Sequence, residues 1–254
     1  MRDQDLDKLN AWMTAAEHRH LADLRVQEIT RALRALSSAY VERRTQGNGR
    51  RVHGALDTAG KRAAFALYYA PLHFMAVSEA VRALGLTQPV PDAIVDLGCG
   101  TGAAGASWSL AAGSTSTIIG VDRHPWAVAE TRWTLSQLGL RGMVKQGDIE
   151  RLRPARSGES AIAAYTLNEL PDGARQRVEQ QLLERARRGG RVLILEPLAR
   201  AVVPWWDDLA RRLTALGGRT DEWKVPVEAP PIARELGKAA GLNYRELRFQ
   251  TLSL

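Results

Sequence analysis

Residues 93–102 constrain the fold more than any other stretch: an apolar run, Ala93-Ile94-Val95, passes into Asp96-Leu97-Gly98-Cys99-Gly100-Thr101-Gly102 just before a helical pattern at 104–112. Glycines at alternate positions permit backbone angles that side chains forbid and let a ligand approach main-chain N–H groups closely. Strand, glycine loop and helix in that order form a nucleotide-binding arrangement of parallel α/β sheets. Gly98, Gly100 and Ala103 also satisfy a dinucleotide spacing, so the glycines alone do not choose between ligands.

The acids that follow narrow the choice. Asp96 ends the strand, where a carboxylate suits the loop amides and a cationic amino group and repels a pyrophosphate. Asp122, followed by Arg123, ends the next predicted strand (117–121), where an acid accepts two vicinal ribose hydroxyls. A third strand (142–146) leads to Asp148, placed for an adenine amino group, and Ile149, placed against the ring. This succession resembles the class I S-adenosylmethionine-dependent methyltransferase family. The resemblance implies an α/β fold, a Rossmann-like methyltransferase sheet with helices on both faces, and S-adenosyl-L-methionine as cofactor. It assigns cofactor contacts to Asp96, Gly98, Cys99, Gly100, Gly102, Asp122, Arg123, Asp148 and Ile149, and to Tyr165 and Leu167 at the fourth strand end.

Beyond residue 93 the pattern alternates. Helix 125–138, strand 161–166, helix 173–186, strand 191–196, helices 205–216 and 231–240 and a last strand near 244–252 complete a parallel-sheet domain. Before it, residues 1–85 read as helical, with Leu21, Leu24, Ile29, Leu33 and Leu36 at helical spacing and a second run at 61–84 kinked near Pro71. The turn-rich 87–91 segment marks a boundary, giving a helical substrate-recognition region at 1–88 and a cofactor domain at 89–254. Residues 43–51, with Arg43, Arg44, Arg50 and Arg51 around two glycines, read as an exposed basic loop.

Several chemistries are disfavoured by composition. No apolar stretch approaches the ~20 residues of a membrane helix, and the start lacks a secretory core, so a cytoplasmic, membrane-free protein is expected. One cysteine supports neither an internal disulfide nor a thiolate metal site, and His18 and His20 lie on different sides of their helix, so no metal is expected. Cys99 sits inside the cofactor loop, which leaves no thiol for covalent attack on a substrate and directs transfer to nitrogen or oxygen.

At the fourth strand end, Thr166-Leu167-Asn168-Glu169-Leu170-Pro171 supplies the candidate catalytic pair: Asn168 to orient an acceptor, Glu169 to take its proton. Helix capping by Asn168 and a first-turn charge at Glu169 explain the same residues without catalysis. His124 follows the ribose acid as a loop residue or a nucleoside contact, and Trp205-Trp206 either closes the substrate mouth or packs in the core.

Charge bears on the acceptor. Thirty-five Lys and Arg oppose 28 Asp and Glu, a net +7, with 12 basic and 8 acidic residues in 1–70 but 5 and 7 in 71–150. Such a field attracts a polyanion; a GC-rich coding bias toward arginine explains it equally, since only five of the 35 are lysine. The helical, arginine-containing front, the run from Lys61 to Tyr69 and the Asn168-Glu169-Leu170-Pro171 element together resemble the methyltransferase-like family associated with the small ribosomal subunit of bacteria and mitochondria. That likeness implies RNA as partner, 16S rRNA or the small subunit itself, gripped through Arg43, Arg44, Arg50, Arg51 and Tyr69. The iron–sulfur cysteines of longer relatives are not in this sequence. Three functions stay open: an RNA methyltransferase, a small-molecule methyltransferase, and an assembly factor that binds cofactor without transfer.

Overall fold

The computed structural model describes residues 2–46, 56–152, 156–242 and 245–254. Its sheet has seven strands in the order β3-β2-β1-β4-β5-β7-β6. These are β1 (Ala93–Leu97), β2 (Thr117–Asp122), β3 (Gly142–Gln146), β4 (Ser160–Ala164), β5 (Val192–Glu196), β6 (Arg219–Pro226) and β7 (Glu246–Ser253). The first five run parallel, whereas β7 is antiparallel to both β5 and β6. Strand order reverses between β1 and β4, and parallel sheets bind ligands outside the carboxyl ends at such a switch point.

Five helices complete the sheet domain: α5 (Ala103–Ala111), α6 (Pro125–Gln137), α7 (Asp172–Arg187), α8 (Trp206–Thr214) and α9 (Pro231–Ala240). Before them stand α1 (Asp3–Leu21), α2 (Val26–Gln46), α3 (Ala59–Ala64) and α4 (Ala70–Ala83). Small residues Ala104, Gly105 and Ala106 let α5 lie fully buried between the sheet and α4, with Trp108 anchored by its indole N–H on Leu86 O at 3.0 Å. Ser107 donates across the contact to Phe74 O at 2.7 Å. One core joins the helical front to α5, α6 and α9, another fills the opposite face with α7 and α8, and α4 packs with β1, β4, β5 and β7 in a third.

The front is braced by buried charge. Glu130 of α6, 1% exposed, accepts from Arg19 at 2.9 Å and lies 3.4 Å from His20, while Arg19 covers the Trp133 ring at 4.6 Å. His20 therefore serves packing of α1 on the sheet domain, and among the described residues no group of three or more His, Cys, Asp or Glu is placed to hold a metal ion.

Three local expectations change. The kink expected near Pro71 is a π-helical segment, Phe65–Tyr69, in which Ala70 N–H bonds to Phe65 O five residues back; the wide turn precedes a proline that has no N–H to donate. Arg43 and Arg44 belong to α2, which runs to Gln46, because the helix breakers begin only at Gly47; Arg50 and Arg51 lie outside the described residues. Strand β6 has no counterpart in the sequence reading, being an edge strand whose alternation rests on Trp223 and Val225 alone. Among the described residues no helix is long and apolar enough to cross a membrane.

Candidate active site

The carboxyl ends of β1 to β5 open into one cavity of about 1020 Å³, roofed by residues of α2, the π segment and α4. That volume reaches the upper limit of ordinary small-molecule pockets, roughly 300–1,000 Å³, and accommodates a cofactor together with an acceptor.

The loop after β1 is held from behind. Gly98 and Cys99 donate to Val121 O at 2.9 and 3.2 Å, which fixes the loop to the end of β2. Gly98 has φ +65°, and a Cβ there would stand 2.6 Å from Thr166 Cγ2; the Thr166 hydroxyl in turn donates to Leu97 O at 2.9 Å. Gly100, at φ +55°, faces Phe65 across the cavity, where a Cβ would lie 3.5 Å from the ring. Gly102 packs on Thr131 and starts α5; it does not line the cavity. The Cys99 thiol accepts from Thr131 at 3.3 Å and belongs to the core of the helical front, so its side chain is structural and its backbone forms the loop. Burial pushes that thiol well above its ordinary pKa.

Three carboxylates line the cavity at successive strand ends. Asp96, 1% exposed, accepts from Gly105 N–H at 2.9 Å, and burial raises its pKa to about 7. Asp122 accepts from Gly100 N–H at 3.0 Å through one oxygen and from His124 N–H at 2.8 Å through the other. Each oxygen keeps a further lone pair for a ligand hydroxyl. His124 also caps α6, accepting from Trp126 N–H at 3.1 Å. Asp148 is exposed and accepts from Glu150 N–H at 3.0 Å, beside the buried side chain of Ile149; Arg123 also reaches the cavity rim.

At the end of β4, Tyr165 adopts φ +55°, a left-handed conformation that costs a side-chain-bearing residue on the order of 1 kcal/mol or more. Its ring stacks on His73 with centroids 4.3 Å apart and 23° between planes. The 3-10 turn Leu167–Glu169 follows. Leu167, expected beside the cofactor, is instead fully buried in the core with α7, because the turn directs it inward. Asn168 does not cap α7, whose preceding residue is Pro171. Its backbone N–H donates to Glu196 Oε1 at 3.1 Å and its side-chain amide donates to Glu196 Oε2. Glu196 terminates β5 with no exposed surface, and burial raises its pKa to about 8. Asn168 and Glu169 both line the cavity.

The opposing wall is aromatic. Phe65, Tyr69 and His73 follow one another four residues apart along the π segment and α4; the His73 ring meets Phe65 edge-on at 6.0 Å and Tyr69 at 6.2 Å. Tyr40 of α2 meets Tyr69 edge-on at 5.7 Å. Of this wall the sequence reading singles out Tyr69 alone and misses Phe65, His73 and Tyr40, as it misses Glu196 opposite; the four-residue spacing of Phe65, Tyr69 and His73 is the signal that could have found His73. Trp205 and Trp206 do not line the cavity: they pack with α7, where Arg175 lies 4.9 Å over the Trp205 ring. Among the described lining residues, Asp57, Asp96, Asp122, Asp148, Glu169 and Glu246 outnumber Arg123, Arg245 and Arg248.

Residues 94–190 match a family model described as a methyltransferase domain. Aklanonic acid methyltransferase DauC of Streptomyces sp. (strain C5) is 31% identical over 126 residues, which are 47% of this chain and 55% of that protein. The chain thus spans about half the length of this curated relative. The solved mitomycin 7-O-methyltransferase MmcR is 16% identical, with a TM-score of 0.52 over 96% of this chain and 72% of that one. A SAM-dependent methyltransferase from Aquifex aeolicus is 17% identical, with a TM-score of 0.49 over 72% of this chain and 91% of that one. The sheet, preceded by helices, thus has the Rossmann-like fold of solved methyltransferases, and residues 94–190 are similar to a methyltransferase domain.

Proposed function

We propose that the chain transfers the methyl group of S-adenosylmethionine to oxygen or nitrogen of a small-molecule acceptor. The observation that carries this reading is a roofed cavity in which the glycine loop and three strand-end carboxylates share one space with unclaimed room beneath the helical front. The donor set fits the cofactor: Asp122 retains lone pairs for ribose hydroxyls, Asp148 and Ile149 flank an adenine, and Asp96 with the loop amides suits an amino-acid end. A side chain at Gly100 would project toward Phe65 and reduce the space above the loop. A predominantly acidic lining opposes a pyrophosphate and does not oppose a sulfonium cation.

When bound, S-adenosylmethionine supplies an already electrophilic methyl group, so the protein's work is alignment and removal of one proton. Glu196 holds Asn168 through both backbone and side-chain donors, and Asn168 orients the acceptor. Glu169, on the same turn, accepts the acceptor's proton.

RNA as acceptor, with 16S rRNA or the small ribosomal subunit as partner, is the second reading. What favours it is the placement of Arg43 and Arg44 in α2, just beyond Ser37 and Tyr40 of the cavity wall. The acid-rich cavity admits a lone base better than the phosphates that carry it. Purified protein incubated with labelled cofactor and, separately, a metabolite extract, free RNA and 30S particles tests both. Label in small molecules is expected; label confined to RNA would sink the first reading, and cofactor binding without label anywhere would leave an assembly role.

A further inference from the structure

His73 is a polar side chain with an unusual setting. It lines the cavity, its ring is stacked on Tyr165 and bordered by Phe65 and Tyr69, and among the described residues its nitrogens have ring neighbours but no hydrogen-bond partner. His73 is partly buried and borders the cavity, so a ligand there can supply the hydrogen bond that its ring does not find within the chain. Burial also lowers its pKa to about 4, so the imidazole is neutral at physiological pH and offers one nitrogen as an acceptor.

The surroundings say what that partner is. Phe65, Tyr69, His73 and Tyr165 already pack on one another and together border the cavity, so a planar ring entering it meets an aromatic surface on which stacked or edge-on contact is favourable. The wall faces the glycine loop, Phe65 lying where a Cβ on Gly100 would come within 3.5 Å. The Tyr165 ring is held by its stacking on His73. Nothing cationic belongs to this group, so a phosphate or carboxylate finds no charge partner in it.

We propose that Phe65, Tyr69, His73 and Tyr165 form the acceptor subsite, and that it takes a planar aromatic molecule whose hydroxyl or ring N–H donates a hydrogen bond to His73. This rests on the methyltransferase reading for the word acceptor, but the binding it describes does not require the cofactor. His73 acts here as a specificity determinant: it selects molecules that carry a donor in the ring plane over those already capped.

The test measures binding of 2-naphthol, and of its capped counterpart 2-methoxynaphthalene, to the full chain by calorimetry without cofactor, alongside S-adenosylhomocysteine as a separate titration. The parent is expected to bind 2-naphthol at least tenfold more tightly than the ether. His73→Phe, which keeps a stacking ring and removes the acceptor nitrogen, should erase that preference, and His73→Asn, which restores an acceptor, should recover part of it. Thermal melts of each variant establish that it is folded. Equal binding of phenol and ether to the parent, an unchanged preference in His73→Phe, or no binding of 2-naphthol would overturn the proposal. If S-adenosylhomocysteine binds and 2-naphthol does not, the subsite fails while the methyltransferase reading stands. If 2-naphthol binds with the expected preference and S-adenosylhomocysteine does not bind, the aromatic subsite stands and the methyltransferase reading fails.

Discussion

The two walls of the cavity are built differently. On the sheet side, backbone N–H groups and carboxylates do the work: Gly98 and Gly100 with φ of +65° and +55°, Asp122 held by two main-chain donors, Asp96 by a third. On the helical side, the surface is made of whole side chains, Tyr40, Phe65, Tyr69 and His73, carried on α2, the π segment and α4. A wall of main chain is dictated by strand ends and tolerates few sequences. A wall of side chains can be rewritten residue by residue, which is why the donor is easier to identify than the acceptor.

The sharpest way to break that division is Gly98→Val. Its Cβ would meet Thr166 at 2.6 Å in a left-handed conformation closed to valine, so cofactor affinity measured by calorimetry should fall more than a hundredfold. If cofactor binding survives, the sheet wall is not set by its backbone. Phe65→Ala probes the other wall. Acceptor KM is expected to rise about tenfold while the cofactor Kd changes less than threefold, as loss of one aromatic contact and its buried area would give. Equal losses in both would show that the walls do not act separately.

The pH dependence of stability divides the walls as well. Glu196 is raised from 4.5 to about 8, so the folded chain holds its proton where the unfolded chain has lost it; the stability it contributes is complete below pH 4.5 and fades as pH rises toward 8. His73 is lowered from 6.5 to about 4, so the unfolded chain takes up a proton that the folded one refuses, and stability falls as pH drops from 6.5 toward 4. Glu196→Gln should flatten the alkaline slope of denaturant unfolding, a change on the order of 5 kcal/mol, and His73→Phe the acid slope, by on the order of 3 kcal/mol. Curves parallel to the parent's would count against both assignments. The smallest effect concerns Cys99: with its thiol buried and its pKa raised, alkylation by iodoacetamide in native protein should proceed at under a tenth of the rate in urea, and bound cofactor should slow it further.

Much of the sheet wall is legible in the sequence because its constraints are local. The Asp96 to Gly102 loop and Asp122 each follow a short apolar run, and strands β1, β2, β4 and β5 announce themselves by such runs, while β3 before Asp148 offers only Met143 and Val144. Leu167 misleads because a 3-10 turn reverses which side chains face the cavity, a matter of backbone rotation that residue identity does not encode. His73 and Glu196 escape notice because a lone histidine on a helix and a glutamate after an apolar strand look ordinary until distant elements bury them. Edge strand β6 lacks the apolar run that marks β1, β2, β4 and β5, since one flank meets solvent.

The roof of the cavity draws on distant parts of the chain. Helix α9, inserted between β6 and β7, packs with α2 and the π segment, and Tyr68 donates to Leu242 O at 2.8 Å across 174 positions of sequence. Gly237 permits that approach, since a Cβ there would stand 2.9 Å from the Tyr68 ring. Closing so long a loop costs entropy that only completed long-range contacts offset. The sheet wall is made from elements near one another in sequence, whereas the helical wall depends on contacts that β6, α9 and β7 bring from the far end of the described chain.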